Sequence, residues 1–186
     1  LYLFRQLTPR QSVTANAVGT YIATQSGHYD NESTAYRYDV DGQTASLLSE
    51  AVYENQLDAF VLSAGLNFRY KHTRNEYGGD AASLSRMVQN DLYAFGEIKG
   101  VYKGLRYVLG TGYKRLHYRQ NRHHYDFHSF RPKLTLACRL TPALQVDYSF
   151  QMQDRASRIA MTSEAVIRTN SMETTVGNPD LKPGHD

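Results

Sequence analysis

The chain has 186 residues, a formal net charge of +3 and a mean hydropathy of −0.56. No apolar run approaches the ~20 residues that a membrane helix needs, which excludes helical spans but not strands that cross a bilayer. The 21 lysines and arginines are scattered, so composition gives nucleic-acid binding no footing, and the single Cys138 cannot form an internal disulfide.

Leu1 to Leu7 reads as the end of a strand, and Thr8, Pro9, Arg10 and Gln11 as a tight turn preset by proline. Val13, Ala15, Ala17, Gly19, Tyr21 and Ala23 then face one way, with Ser12, Thr14, Asn16, Thr20 and Thr24 opposite. A polar stretch from His28 to Gly42 follows and contains Asp41-Gly42, a favoured hairpin turn. Ser46 to Glu54 is a weaker strand, because Leu47 and Leu48 are adjacent. Asn55 and Gln56 form a short turn. Phe60, Leu62, Ala64, Leu66, Phe68 and Tyr70 then alternate with Val61, Ser63, Gly65, Asn67, Arg69 and Lys71.

From His72 to Val88 the chain is polar, with Gly78, Gly79 and Asp80 as breakers. Asp91 to Lys99 reads as a strand whose outward face the pattern leaves open. Gly100 to Gly104 turns the chain, and Leu105, Tyr107, Leu109 and Tyr113 line one face of the next strand. Gln120 to Asp126 is a polar, His-rich loop. Pro132, Leu134, Leu136, Cys138 and Leu140 oppose Arg131, Lys133, Thr135 and Arg139, and Thr141-Pro142-Ala143 repeats the proline turn. The clearest strand is last: Leu144, Val146, Tyr148, Phe150 and Met152 alternate with Gln145, Asp147, Ser149, Gln151 and Gln153.

The chain is therefore expected to be all-β, an antiparallel transmembrane β-barrel segment of about eight strands in a meander of hairpins. Short turns near 8–11, 55–57, 100–104 and 141–143 alternate with long connections near 28–42, 72–88, 120–126 and after 154. In bacterial barrels the short turns face the periplasm and the long loops face outside. Strands near ten residues match the ~9–11 needed to cross a bilayer. Arg or Lys turned to hydrocarbon costs roughly 2–4 kcal/mol near the midplane. Arg69, Lys71, Lys133, Arg139 and Asp147 are thus assigned to the lumen or a rim, and Phe60, Leu66, Leu134, Leu136, Tyr148 and Phe150 to lipid.

The tail carries Gly177, Asn178, Pro179, Asp180, Leu181, Lys182 and Pro183. This string resembles a signature of TonB-dependent outer-membrane receptors, especially those of Bacteroidetes, in which N-P-x-L-K-P-E leads into a barrel strand. Gly184 stands where the family has Glu. The prolines hold the residues before them extended, easing entry from a loop into a strand. Glu50 to Glu54 also looks like the family. The resemblance implies that residues 1–186 are part of one outer-membrane barrel domain, without the plug and the barrel's C-terminus. It implies energised uptake of a scarce ligand: an iron chelate, cobalamin or an oligosaccharide. The implied partners are outer-membrane lipid, a TonB-type coupling protein acting through the plug, and a surface lipoprotein.

Tyr77 and Asp80 in one long loop, and His123, His124 and Tyr125 in another, are the candidate ligand contacts. His117, His123, His124 and His128 cluster with Asp126, but adjacent histidines point apart in an extended chain, so a solvated loop is preferred to a metal site and no cofactor is expected. Asp39, Asp41 and Gly42 resemble a fragment of a calcium loop without its remaining ligands, and a hairpin turn is the simpler reading. No G-x-S-x-G, P-loop, G-x-G-x-x-G or H-E-x-x-H motif is present, and no enzyme activity is expected. Two rival readings stand beside the receptor. One is an outer-membrane barrel with a structural or adhesive role. The other is a soluble β-barrel that binds an apolar ligand inside, with its apolar faces pointing into a core. A piece with two bare sheet edges is expected to be poorly soluble.

Overall fold

Apolar and polar residues trade places at every second position along much of this chain, and the polypeptide answers with strands alone. The structure is a computed structural model; it describes residues 1–30, 36–79 and 82–152, and beyond these only 154–155, 167–168, 174–175, 178 and 184–185. One antiparallel sheet runs in sequence order through β1 (Tyr2–Thr8), β2 (Gln11–Asp30), β3 (Tyr36–Gln56), β4 (Phe60–Gly79), β5 (Ser83–Tyr102), β6 (Leu105–Gln120), β7 (His123–Thr141) and β8 (Leu144–Gln151). This is the expected eight-stranded meander. β1 and β8 are its edges. In the tail, Asp154–Arg155 pairs with Gly184–His185, and Ile167–Arg168 with Thr174–Thr175.

The turns at one rim stand close to where the sequence puts them, except that Asn55 and Gln56 are the last residues of β3, paired with Leu62 and Val61, and the chain turns at 57–59. Pro9-Arg10 and Pro142-Ala143 are two-residue turns, with proline supplying the fixed φ. Lys103 and Gly104 join β5 to β6, both at positive φ (48° and 83°), as a type I′ hairpin requires. β5 therefore runs through Gly100, expected from sequence to lie in the turn, and ends at Tyr102.

The other rim differs from expectation. β2 to β5 are each 20 or 21 residues long, not about ten. Most of the stretches expected as long loops are strand. Asp41 and Gly42 make no hairpin turn; they sit inside β3, opposite Gln25 and Thr24. Glycine is wanted there for close approach, since a Cβ would lie 2.6 Å from the Thr24 hydroxyl. Residues 72–79 belong to β4 and 83–88 to β5. The His-rich loop is a two-residue turn, Asn121-Arg122, flanked by β6 and β7. Asn121 takes the left-handed conformation that Asn tolerates (φ 49°). Its Oδ1 accepts from the Arg86 N–H at 2.9 Å, and its own N–H donates to the Arg86 carbonyl at 2.9 Å, so the turn stays bonded to β5. The physical reason for the misreading is simple. In these upper halves the open face is largely polar and the covered face mixes Met87, Leu116 and aromatic rings with Ser, Asn and Gln, so a regular apolar stripe is lost while backbone pairing continues.

Candidate functional site

Register sorts every side chain of the sheet onto one of two faces. Every buried residue among those described lies on the same face: Gly42, Ser63, Ser85, Met87, Gly112, Leu116, Gln120 and Ser129. Only two of the eight, Met87 and Leu116, are large and hydrophobic. On the opposite, open face stand Leu66, Leu92, Leu109, Phe130, Tyr148 and Phe150, between 44% and 60% exposed. The sheet thus covers its polar side and leaves its apolar side open, the reverse of a water-soluble core.

The covered face carries charges along the whole height of the sheet, and several of them are paired. Lys99 Nζ meets Glu54 Oε1 at 3.1 Å across β4, where Ser63 Oγ donates to the same oxygen at 3.2 Å. Lys133 Nζ reaches Glu97 Oε2 at 2.7 Å from two strands away. The residue between them in register is Gly110, which puts no side chain in the path. Lys114 and Asp91 pair at 3.2 Å with only 12% and 14% of their side chains exposed. Asn16 Nδ2 donates to Glu50 Oε2 at 3.3 Å.

Register also settles the face of β5. Leu92, Ala94, Gly96 and Ile98 pair with the apolar positions of β4, so Tyr93 and Phe95 turn to the covered face. There they stack at 5.6 Å between centroids. Two glycines make room. A Cβ on Gly65 would lie 2.5 Å from Phe95 Cζ, and one on Gly112 would collide with the Tyr93 ring. Arg131, beyond Gly112, rests its guanidinium 5.4 Å from the Tyr93 ring centroid.

The open face changes character halfway up. From the turns at Pro9-Arg10, 57–59, Lys103-Gly104 and Pro142-Ala143 to a line through Tyr21, Tyr70, Leu92, Tyr113 and Phe130, that face of β2 to β8 holds no charged residue. Arg5 in β1, near the first turn, is the exception. Above the line the same face is mainly polar, with Leu84 and Val88 among Gln25, Asp39, Asp41, Gln43, His72, Arg74, Glu76, Arg86, Asn90, Arg115, His117, Arg119, His124, Asp126 and His128.

Both limits of this apolar band are slanted, and by the same amount. One paired row runs Gln11, Asn55, Leu62, Ile98, Leu109, Leu134, Phe150. β2 begins on that row, whereas β8 begins six residues below it, at Leu144. The upper limit behaves alike: the row from Tyr21 through Ala45, His72, Val88 and Arg119 ends at His124, six residues above Phe130. Six residues of ~3.3 Å over five or six strand spacings of ~4.8 Å is a tilt of about 35–40°. On β4 the band runs from Phe60 to Tyr70 and on β7 from Phe130 to Leu140. At ~3.3 Å per residue and that tilt, it is about 26 Å tall.

The expected ligand contacts do not gather into one site. Tyr77 is the third residue from the end of β4, on the covered face. Asp80 lies outside the described residues. His123 and Tyr125 are strand residues of the covered face, and His124 is on the open face. Tyr125 meets Tyr118 edge-on at 5.8 Å. The row of His123 crosses β4 at Thr73, four residues below Tyr77 and three strands away. Of the tail string only Asn178 is described, and it is exposed. No group of three or more His, Cys, Asp or Glu side chains capable of holding a metal occurs among the described residues. Sequence reading missed the Asp91–Lys114 pair, because neither residue marks a motif and register alone brings them together. A protein-family search found no model that matches the chain, and no curated protein matches it.

Proposed function

We propose that this sheet is part of the wall of a transmembrane β-barrel in a bacterial outer membrane, and that the barrel belongs to a TonB-dependent receptor for a scarce ligand. The observation that carries the membrane reading is the uncharged band on the open face. Its strand segments of up to 11 residues, its height of about 26 Å and its strand tilt of about 35–40° fall within the ~9–11 residues, ~25 Å and ~35–45° typical of such barrels. Tyr21, Tyr70 and Tyr113 at its upper limit suit an interface, where an aromatic ring meets hydrocarbon and a hydroxyl meets water. The charge pairs on the covered face belong to a wet lumen in this reading. The free edges of β1 and β8 would pair within the closed barrel, because hydrocarbon tolerates no open edge.

Uptake rests on the Gly177–Pro183 string, and the lumen gives it a chemical setting. Glu54, Glu97 and Asp91 with Lys99, Lys133 and Lys114 line the interior as neutral pairs. Such pairs keep the surface hydrated, and Arg69, Lys71, Arg106 and Arg139 on the same face give it a basic excess. The polar upper halves of β2 to β7 rise above the band as an outer vestibule. Two tests apply. Membranes separated by density should hold the full-length protein in the outer-membrane fraction, resistant to urea; recovery in the soluble fraction would end the membrane reading. Deletion of the gene should abolish growth on one ligand class among iron chelates, cobalamin and oligosaccharides, and an uncoupler should reproduce the loss. Unchanged growth on all three would leave a barrel that does not transport.

A further inference from the structure

We infer that the open face of β5 to β7, just above the apolar band, binds the phosphate groups of anionic membrane lipid. The inference rests on the membrane reading and adds a ligand to it. Three pairs of residues climb from the band's edge. Arg115 and His128 stand one step above Tyr113 and Phe130; His117 and Asp126 come next, then Arg119 and His124. Arg86 on β5 lies on the same face, beyond Val88, the register partner of Arg119. Arg86, Arg115 and Arg119 are all exposed.

The one carboxylate among them organises the cluster. Asp126 Oδ1 takes His117 Nδ1 at 3.0 Å and Arg115 Nη2 at 3.6 Å, and the Tyr113 hydroxyl meets His128 Nδ1 at 2.6 Å. Asp126 thus holds Arg115 and His117 side by side while neutralising one of three guanidinium charges. The surplus is local. At corresponding heights on β3 and β4 the same face carries Asp39, Asp41 and Glu76 against Arg74. Each step of two residues rises ~5 Å at the sheet's tilt, so Arg115 and His128 sit at the depth of lipid headgroups. Arg119 and Arg86 can bend toward that layer on long stems. Guanidinium matches phosphate with paired hydrogen bonds, which favours phosphate over a lone carboxylate.

The test uses the full-length protein in phosphatidylcholine vesicles with spin-labelled phosphatidic acid or spin-labelled phosphatidylcholine. The expected result is a motionally restricted lipid component for both labels, with phosphatidic acid favoured about tenfold at low salt. The preference should shrink at high salt, fall to about twofold in R86Q/R115Q/R119Q, and persist in R69Q/K71Q on the covered face. A restricted component of equal weight for both lipids would overturn the patch alone, as would an unaltered preference in the triple variant. Displacement of the label by low millimolar inorganic phosphate would make this a site for free phosphate and also overturn it. No restricted component for either lipid would overturn the membrane reading itself. If the triple variant fails to fold, R115Q and the salt dependence of the native protein decide in its place.

Discussion

The lower and upper halves of the same strands obey different rules. Between the turns and Tyr70, β4 puts Phe60, Leu62, Ala64, Leu66, Phe68 and Tyr70 on the open face; over the next stretch that face carries His72, Arg74 and Glu76. Backbone pairing to β3 and β5 is unbroken throughout. What changes is the environment the side chains are suited to, apolar below and aqueous above. Strand formation therefore depends on the ladder, while the solvent that each half faces is written in one face only.

That contrast can be broken most sharply on β4 itself. Leu66→Arg places a charge near the middle of the band and is expected to lower the stability of the protein in lipid vesicles by ~2–4 kcal/mol. Glu76→Arg, ten residues along the same face, breaks only the exposed Arg74–Glu76 pair and should change it by at most ~1 kcal/mol. Equal effects in urea titrations of the vesicle-bound protein would remove the distinction between the halves.

Next in size are the charge pairs. Asp91→Asn strands Lys114 at a site where both partners are nearly covered, and the expected cost is ~3 kcal/mol. Asp58→Asn breaks the Arg10–Asp58 pair at 2.8 Å, whose side chains are 60% and 86% exposed, and should cost at most ~1 kcal/mol. Between these two lies Gly112→Ala, which drives a methyl into the Tyr93 ring and should cost ~1–3 kcal/mol by overpacking. Tyr93→Leu in the same chain should recover much of that loss, and no recovery would show that the ring is not the obstacle.

The smallest expected effect lies at the top of β6 and β7. The hydrogen bond from His117 holds the Asp126 carboxyl below its ordinary value, helped by the nearby charges of His117 and Arg115. A lowered carboxylate pKa adds stability above the ordinary carboxylate range, and that stability is lost as pH falls through the lowered value. Asp126→Asn should therefore lower the melting temperature slightly at neutral pH and leave it unchanged in strong acid. A difference that persists in acid would assign the effect to packing.

The halves also explain what was legible in the sequence. Where one face was apolar, as in Leu144 to Gln151 or Phe60 to Tyr70, the period of two gave strand, turn and face together. In the upper halves the open face is largely polar and the covered face is mixed, so Asp41-Gly42 and the histidines near Asn121 resemble loops in sequence although the ladder runs through them. β5 failed for the opposite reason. Leu92 and Ala94 on one face, and Tyr93 and Phe95 on the other, are all apolar. Only register shows that the aromatic pair fills the space above Gly65 and Gly112. The Asp91–Lys114 pair and the arginines of β5 and β6 were equally hidden, being ordinary charges until neighbouring strands align them.

The most direct measurement is a cysteine scan of β4 in lipid vesicles, with Cys138 replaced by Ala and a spin label at each position from Phe60 to Glu76. The account predicts that even positions from 60 to 70 are accessible to oxygen dissolved in lipid and shielded from aqueous nickel chelate. Positions 72, 74 and 76 should show the reverse, and odd positions should show little contact with lipid. Even positions of the lower half that are closed to both probes would place the apolar face in a packed protein core and contradict it.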